Sequence, residues 1–462
     1  MSTGAALTGD IHVPNLPRVV IIGGGFAGIA AARALGKCDC EVVLIDRRNH
    51  HIFQPLLYQV ATAVLAPAEI ASPIRQLATE QKNVSAMLGE VIAVDRTART
   101  VGVVVPGVGL KNVSFSYLVV APGVRPSYFG HDEFAAFAPS LKTVSDAEVI
   151  RSRILTAYER AEMTDDVDER SRLMTFVLVG AGPTGVELAA SIAQMANVTL
   201  RGNFRRIDPG RTSILLLDAA PRILPTFSEF LAKKAAARLA QLGVKIVVGA
   251  KVEHVDEQGV VIEGKRIESA TVLWTAGVSP SPIVKMLGTK SDRAGRACVE
   301  PALNIAEDSH VFVVGDAALV LQNGRPVPGV AQGAIQEGRY AGHVIAARLG
   351  GKAEPPPFSY FDKGNMAVVG KNFAILERGR IQMSGFLIWL VWAMIHVIFL
   401  PQLQNRLRVQ TQWLWSYFTG QRSSRLIPET AGKVAVAEES GLERVKPNPV
   451  ESAHLVPLAR TA

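Results

Sequence analysis

Two glycine-rich turns in this chain have the spacing of a dinucleotide fingerprint. The first is Gly23-Gly24-Gly25-Phe26-Ala27-Gly28, the second Gly180-Ala181-Gly182-Pro183-Thr184-Gly185. In each, the first glycine permits a tight turn and the second lets backbone approach a pyrophosphate. The third lets a helix pack close to a sheet. The helix start that follows offers free N–H groups and a partial positive charge to phosphates. An acid follows each motif: Asp46, at about the expected 20-residue offset, and Asp218, which comes later. A carboxylate there accepts hydrogen bonds from both ribose hydroxyls. At the second site it would repel a 2′-phosphate, favouring NADH over NADPH. Arg222, close behind Asp218, softens that preference. Two nucleotides in one chain are most simply explained by electrons passing between them.

These motifs need strands and helices to hold them. Residues 18–22 read as a buried strand, Phe26–Leu35 as a helix and 41–45 as the next strand, a compact βαβ unit. Residues 117–120, followed by Ala121-Pro122-Gly123, read as a later strand of the same sheet, and 144–162 as an amphipathic helix. A second unit opens at Phe176, with its next strand at 213–217. The insertion between them carries Arg201, Arg205 and Arg206. The run Val272-Leu273-Trp274-Thr275-Ala276-Gly277 repeats the layout of residues 119–123, so the chain reads as a duplicated fold. The expected class is therefore α/β: two Rossmann-like dinucleotide-binding domains plus a C-terminal helical membrane-anchoring segment. The expected boundaries are a loose N-terminus at 1–16, a first nucleotide domain from 17–127 and 298–375, and a second at 128–297. An anchoring segment at 376–430 and a disordered tail at 431–462 complete the expectation.

Composition narrows the chemistry. With 462 residues, 48% of them apolar, the chain is long enough for two or three domains. Residues 1–15 lack a basic stretch followed by an apolar one, and Cys38, Cys40 and Cys298 cannot build a disulfide framework, which together favour the cytosol. Cys38 and Cys40 are too close together, and misplaced, for the flavin-side pair of a disulfide reductase. No Cys/His set has zinc or iron–sulfur spacing, so no metal is expected. The net charge of +8 fits nucleic acid or an anionic membrane surface. Residues 385–400 are apolar all round but number 16, where about 20 are needed to span a bilayer. Beyond them come Arg406, Arg408, Arg422 and Arg425, interleaved with Trp413, Trp415, Tyr417 and Phe418. That composition fits an interfacial anchor; a buried helix at a dimer interface is the alternative. Nucleic acid is disfavoured, because the basic residues flank a greasy helix.

Three residues remain that could act beside the nucleotides. Glu187, just inside the second motif helix, could relay a proton or position a nicotinamide; an ordinary acid in a first helical turn is the alternative. Gln332 and Gln336, at i and i+4, share a helix face. Their amides could orient both carbonyls of a quinone without adding charge, or simply face solvent.

The segment Val311-Phe312-Val313-Val314-Gly315-Asp316 resembles the second FAD fingerprint of the two-dinucleotide-binding flavoproteins. Several further segments resemble the type II NADH:quinone oxidoreductases: Phe53-Gln54-Pro55-Leu56-Leu57-Tyr58-Gln59-Val60-Ala61, Ala331-Gln332-Gly333-Ala334-Ile335-Gln336-Glu337-Gly338, Asp362-Lys363-Gly364-Asn365-Met366-Ala367 and the Trp/His/Arg-rich C-terminus. Mycobacterial-type members are the nearest in pattern. The resemblance implies FAD at the first site, held by Gly23, Gly25, Phe26, Ala27, Gly28, Asp46, Arg47, Gln54, Ala121, Gly123, Gly315, Asp316, Ala331 and Gln332. It implies NADH at the second, held by Gly180, Gly182, Pro183, Thr184, Gly185, Glu187, Asp218, Ala276 and Gly277. Glu187, Gln332, Gln336 and Lys363 are the implied catalytic set. A membrane quinone, menaquinone by the mycobacterial likeness, is the implied acceptor, reduced without proton pumping. The implied protein is a monotopic homodimer on the cytoplasmic face of the cell membrane. A soluble diaphorase or ferredoxin reductase, and a membrane-bound flavin sensor of NADH, are the competing expectations.

Overall fold

The computed structural model describes residues 16–428. The tail expected at 431–462, and all but the last residue of that expected at 1–16, lie outside them. Arg18–Ile22 is a strand whose last four side chains are buried on both faces, as the continuous run Val-Val-Ile-Ile requires. It pairs in parallel with Glu41–Asp46 on one side and Tyr117–Val120 on the other. Val84–Leu88 extends the sheet at one edge, and Asp308–Val313 with Asn304–Ile305 at the other. The second sheet repeats the plan. Thr175–Val179 lies between Ser213–Asp218 and Thr271–Trp274, all parallel, with Val244–Val248 outside. In both sheets the glycine turn leaves the central strand where strand order reverses, the place where open α/β sheets bind ligands. The two sheets are linked by a short antiparallel ribbon of Val124–Pro126 with Val278–Pro280.

The helix Ala331–Leu349 crosses the first motif helix, Phe26–Leu35, at very close range. A Cβ on Gly338 would lie 2.0 Å from the Ala27 carbonyl oxygen, and one on Gly342 2.6 Å from Ala34 Cβ. Two small-residue faces thus set the Gln332/Gln336 element beside the first fingerprint.

The boundary expected at 376 falls inside a strand. Ala374–Arg378 pairs with Asn365–Val368 on one side and Ile381–Gly385 on the other, so the sheet belongs with the helices that follow it. The all-apolar stretch becomes the helix Phe386–Ile398, followed by Leu403–Thr419. Ile388, Trp392 and Val397 of the first helix are buried, while Leu387, Leu390, Met394 and Ile398 stay exposed. Arg422, expected among the basic residues of a surface anchor, is buried instead. Its guanidinium donates to the carbonyls of Thr62 at 2.7 Å and Ser191 at 3.0 Å, fastening the C-terminal segment to the core.

Candidate active site

Each fingerprint contains two kinds of glycine. Gly23 has φ +104° and a Cβ there would stand 2.2 Å from the Ala121 carbonyl oxygen; at Gly28 it would stand 1.8 Å from the Gly23 carbonyl oxygen. Those two are required by the chain itself. Gly25 lies between them and nothing comes within 4 Å of its missing Cβ. The second motif matches. Gly180 is pressed against Ala276 and Gly185 against the Gly180 carbonyl, while Gly182 faces open space. An open middle glycine in an otherwise crowded turn is a cradle for something outside the chain.

Both acids close the same loop. Asp46 accepts from Gly24 N at 2.7 Å and from Arg48 N at 2.8 Å. Asp218 accepts from Ala181 N at 2.5 Å and from Ala220 N at 2.8 Å. Each carboxylate is thereby fixed beside the helix start that faces the phosphates, with lone pairs left for a ribose. Arg222, expected to soften the charge of Asp218, makes no hydrogen bond to it among the described residues. Its guanidinium is committed to the carbonyls of Leu224, Pro225 and Phe227. Near Asp46, Arg47 points to solvent, whereas Arg48 Nε and His50 Nε2 are buried with no hydrogen-bond partner among the described residues. Arg48 Nε stands 3.9 Å from Asp46 Oδ1, and these two groups without hydrogen bonds near that acid fit a bound nucleotide; sequence reasoning assigned neither to the site.

The remaining first-site residues converge from distant parts of the chain. Gly123, with φ +67°, faces open space beyond the strand Tyr117–Val120. Gly315 and Asp316 cap the neighbouring strand, and Gly315 N donates to Glu337 Oε2 at 2.6 Å. Burial pushes the Glu337 carboxyl up to about 8, and nearby Asp316 adds to the rise. Glu337 holds the turn, and its signal in sequence was an acid on the buried face of an Ala/Gly helix. Gln54 is exposed and reaches the Lys142 carbonyl at 3.5 Å. Phe26 and Ala27 open the first motif helix, with Phe26 packed edge-on to His51 and Phe53. Ala331 opens the Ala331–Leu349 helix. At the second site, Pro183 and Thr184 are the first two residues of the helix Pro183–Gln194. Thr184, Ala276 and Gly277 line one narrow cleft with Lys142.

Glu187 is the fifth residue of that helix, past the first turn, so favourable capping of a helix start does not explain it. Its side chain is partly buried, close to Tyr58. Its Oε1 accepts from Val368 N at 3.4 Å, and burial pushes its carboxyl up to about 8. Tyr58 is buried beside it and takes a hydrogen bond from Gln59 Nε2 at 3.0 Å; Gln59 Oε1 in turn accepts from Trp413 Nε1 at 2.7 Å.

The two glutamines do share one helix face, but their amides are occupied. Gln332 donates to the Gly364 carbonyl at 2.9 Å and accepts from Lys363 N at 3.3 Å. Gln336 donates to the Phe361 carbonyl at 3.0 Å and accepts from Phe361 N at 2.9 Å. Together they clamp the strap 361–364. Lys363 rides on that strap with its ammonium 5.5 Å from the Phe399 ring centre, at the end of the Phe386–Ile398 helix.

A profile of the family described as pyridine nucleotide-disulphide oxidoreductase matches residues 17–338. The Mycobacterium tuberculosis type II NADH:quinone oxidoreductase Ndh is 44% identical over 427 residues, covering 90% of this chain and 91% of that one. The chain belongs to the type II NADH:quinone oxidoreductases. NdhA of the same organism is 44% identical over 424 residues, with 89% of each chain covered. Among solved structures, NDH2 from Plasmodium falciparum in complex with NADH superposes with a TM-score of 0.82. It covers 88% of this chain and 99% of that one at 17% identity, which shows the shared two-dinucleotide-binding fold. For a type II oxidoreductase the cysteines are informative. All three are free, and Cys38 and Cys40 lie just past the far end of the first motif helix. Burial pushes the Cys40 thiol up to about 11, and the Cys38 thiol in the same direction. Neither is poised as a thiolate.

Proposed function

We propose that this oxidoreductase passes electrons from NADH to FAD in the cleft between the two fingerprints, and from FAD to a membrane quinone at the strap 361–364. When bound, FAD supplies the two-electron chemistry, taking a hydride from NADH and returning electrons to quinone without proton pumping. The observation that carries the reading is the repeated open middle glycine, Gly25 and Gly182, each in a crowded turn closed by an acid, Asp46 and Asp218. Gly25, Gly123, Asp46, Arg48, Gly315 and Asp316 hold the flavin nucleotide; Gly182, Thr184, Asp218, Ala276 and Gly277 hold NADH. At neutral pH a carboxyl titrating at about 8 carries its proton, so Glu187 serves as a proton store beside the reacting ends. Gln332 and Gln336 act by fixing the strap, which sets Lys363 and Phe399 at the quinone mouth.

The acceptor's apolar nature is matched by the C-terminal helices. The exposed Leu387, Leu390, Met394 and Ile398 recur at helical spacing, as do Leu403, Leu407, Leu414 and Phe418 on the second helix. No helix among the described residues is long and apolar enough to cross a membrane. The 13 residues of Phe386–Ile398 reach only about 20 Å, short of the roughly 30 Å hydrocarbon core. A surface-lying, monotopic attachment is the reading these dimensions support. Menaquinone as acceptor, a homodimer and the cytoplasmic membrane face are proposed with it on the resemblance drawn from the sequence. Stopped-flow mixing of NADH-reduced enzyme with a menaquinone analogue tests the whole: rapid return of the oxidised flavin spectrum is expected. Flavin that stays reduced for many seconds sinks the quinone reading and favours the sensor; rapid oxidation by ferredoxin or dyes alone favours the soluble diaphorase.

A further inference from the structure

Lys142 belongs to neither fingerprint, yet it stands between them. It lines a narrow cleft together with Thr184, Thr275, Ala276 and Gly277 of the second site. The one carboxylate close enough to act on its ammonium is Asp316 of the first. No hydrogen bond or ion pair engages that ammonium among the described residues, and Asp316 likewise has no hydrogen-bond partner among them. Burial lowers the Lys142 pKa and the charge of Asp316 raises it.

The backbone here is unusually well fixed. Lys142 N donates to Asp146 Oδ2 at 2.9 Å, inside the cap of the helix Val144–Met163. The Lys142 carbonyl accepts from Gln54 Nε2 at 3.5 Å. Just upstream, Trp274 N donates to the Pro139 carbonyl at 2.9 Å, and Ser140 bridges to Trp274. The segment is thus bound to both nucleotide domains, and its one free group is a cation aimed into the space they share. A partly buried cation with no partner in the chain is open to one from outside it.

We propose that Lys142 is an electrostatic determinant of the flavin's reduction potential, holding one positive charge where the two nucleotides meet. The inference rests on the functional reading above. When a hydride leaves NADH, two electrons and one proton go with it, NAD+ remains, and the flavin gains one negative charge. A fixed cation at that place favours the reduced flavin over the oxidised one, and so favours electron arrival from NADH.

The test is potentiometric titration of the purified holoenzyme, with FAD content measured on the same samples. In K142M and K142Q the reduced-to-oxidised ratio at a set potential is expected to fall at least tenfold. That corresponds to a midpoint about 30 mV lower for a two-electron couple. K142R, which keeps the charge, is expected to stay near the parent protein. An unchanged midpoint in both neutral variants overturns the proposal. Loss of FAD from both also overturns it, because Lys142 is then a structural counterpart of Asp316. A parent protein that holds no FAD, or whose FAD is not reduced by NADH, fails the functional reading instead.

Discussion

Glu187→Gln separates a buried carboxyl's ionisation from its shape. In an unfolded chain the carboxyl ionises near its ordinary value of 4.5; in the fold, burial delays this to about 8. Between those values unfolding releases a proton, so stability falls as pH rises. The penalty is absent below pH 4.5 and complete above about 8. Each pH unit in that window is worth about 1.4 kcal/mol. At pH 7 the parent protein therefore carries a penalty of at most about 3 kcal/mol that glutamine does not, and above pH 8 at most about 5 kcal/mol. For a chain of this length 1 kcal/mol moves the melting temperature by roughly 1 °C. Tryptophan-fluorescence melts of both proteins from pH 5 to pH 8 are expected to show E187Q gaining on the parent as pH rises, by about 4 °C in total. In the same series kcat for quinone reduction is expected to fall through an apparent pKa of about 8 in the parent and to lose that limb in E187Q. A melting gap that stays constant across the range refutes the argument, because it means Glu187 does not remain protonated in the fold.

Two further perturbations separate holding a cofactor from holding the chain. Gly25→Val enters open space with an extended backbone, so the flavin-free protein should melt within about 1 °C of the parent while FAD retention is lost. Gly28→Ala must displace the Gly23 carbonyl and should cost about 3 kcal/mol or more of stability; equal melting of the two variants contradicts the division. Arg422→Met leaves the Thr62 and Ser191 carbonyls without their donor, at a cost of about 3 kcal/mol. Limited proteolysis should then release the segment 403–428 faster than in the parent; identical digestion patterns would show that Arg422 is not the fastener.

The elements that sequence made legible are those whose cause is local. Val19 to Ile22 and Phe176 to Val179 are apolar on both faces because parallel strands are buried on both faces, and the third glycine of each turn follows from steric need within six residues, Gly28 against Gly23 and Gly185 against Gly180. The Gly315-Asp316 turn was legible by resemblance. What stayed hidden depends on partners far away in the chain. Glu337 looks like any acid in an Ala-rich helix until Gly315 is brought to it. Arg422 reads as a surface cation because its carbonyl partners lie 360 and 231 residues upstream. The glutamine pair was found by its spacing, but spacing cannot show that both amides face a strap more than twenty residues later. Arg48 was passed over for Arg47 because alternation at a strand end is lost once the chain turns.

The C-terminal helices are easily read as an appendix that ties a finished enzyme to a surface, but their contacts argue otherwise. Trp413 is the end of a hydrogen-bonded line through Gln59 to Tyr58, which lies against Glu187. A second line is aromatic: Trp392 stacks near His396 at 4.3 Å, His396 meets Phe53 at 6.1 Å, and Phe53 meets Phe26 at the first fingerprint. Burial holds His396 down to about 4, so at neutral pH this second line is uncharged throughout. A quinone is apolar except at its two carbonyls, and its path from a lipid surface to a flavin must be dry and neutral until the proton donor is reached. One pair of helices carries an exposed leucine stripe outside and, inside, an aromatic line that ends at Phe26 and a hydrogen-bonded line that ends at Tyr58 beside Glu187. On the reading proposed above, membrane contact and electron exit are one structure, and a change that loosens the helices is felt at the first fingerprint before it is felt as lost attachment.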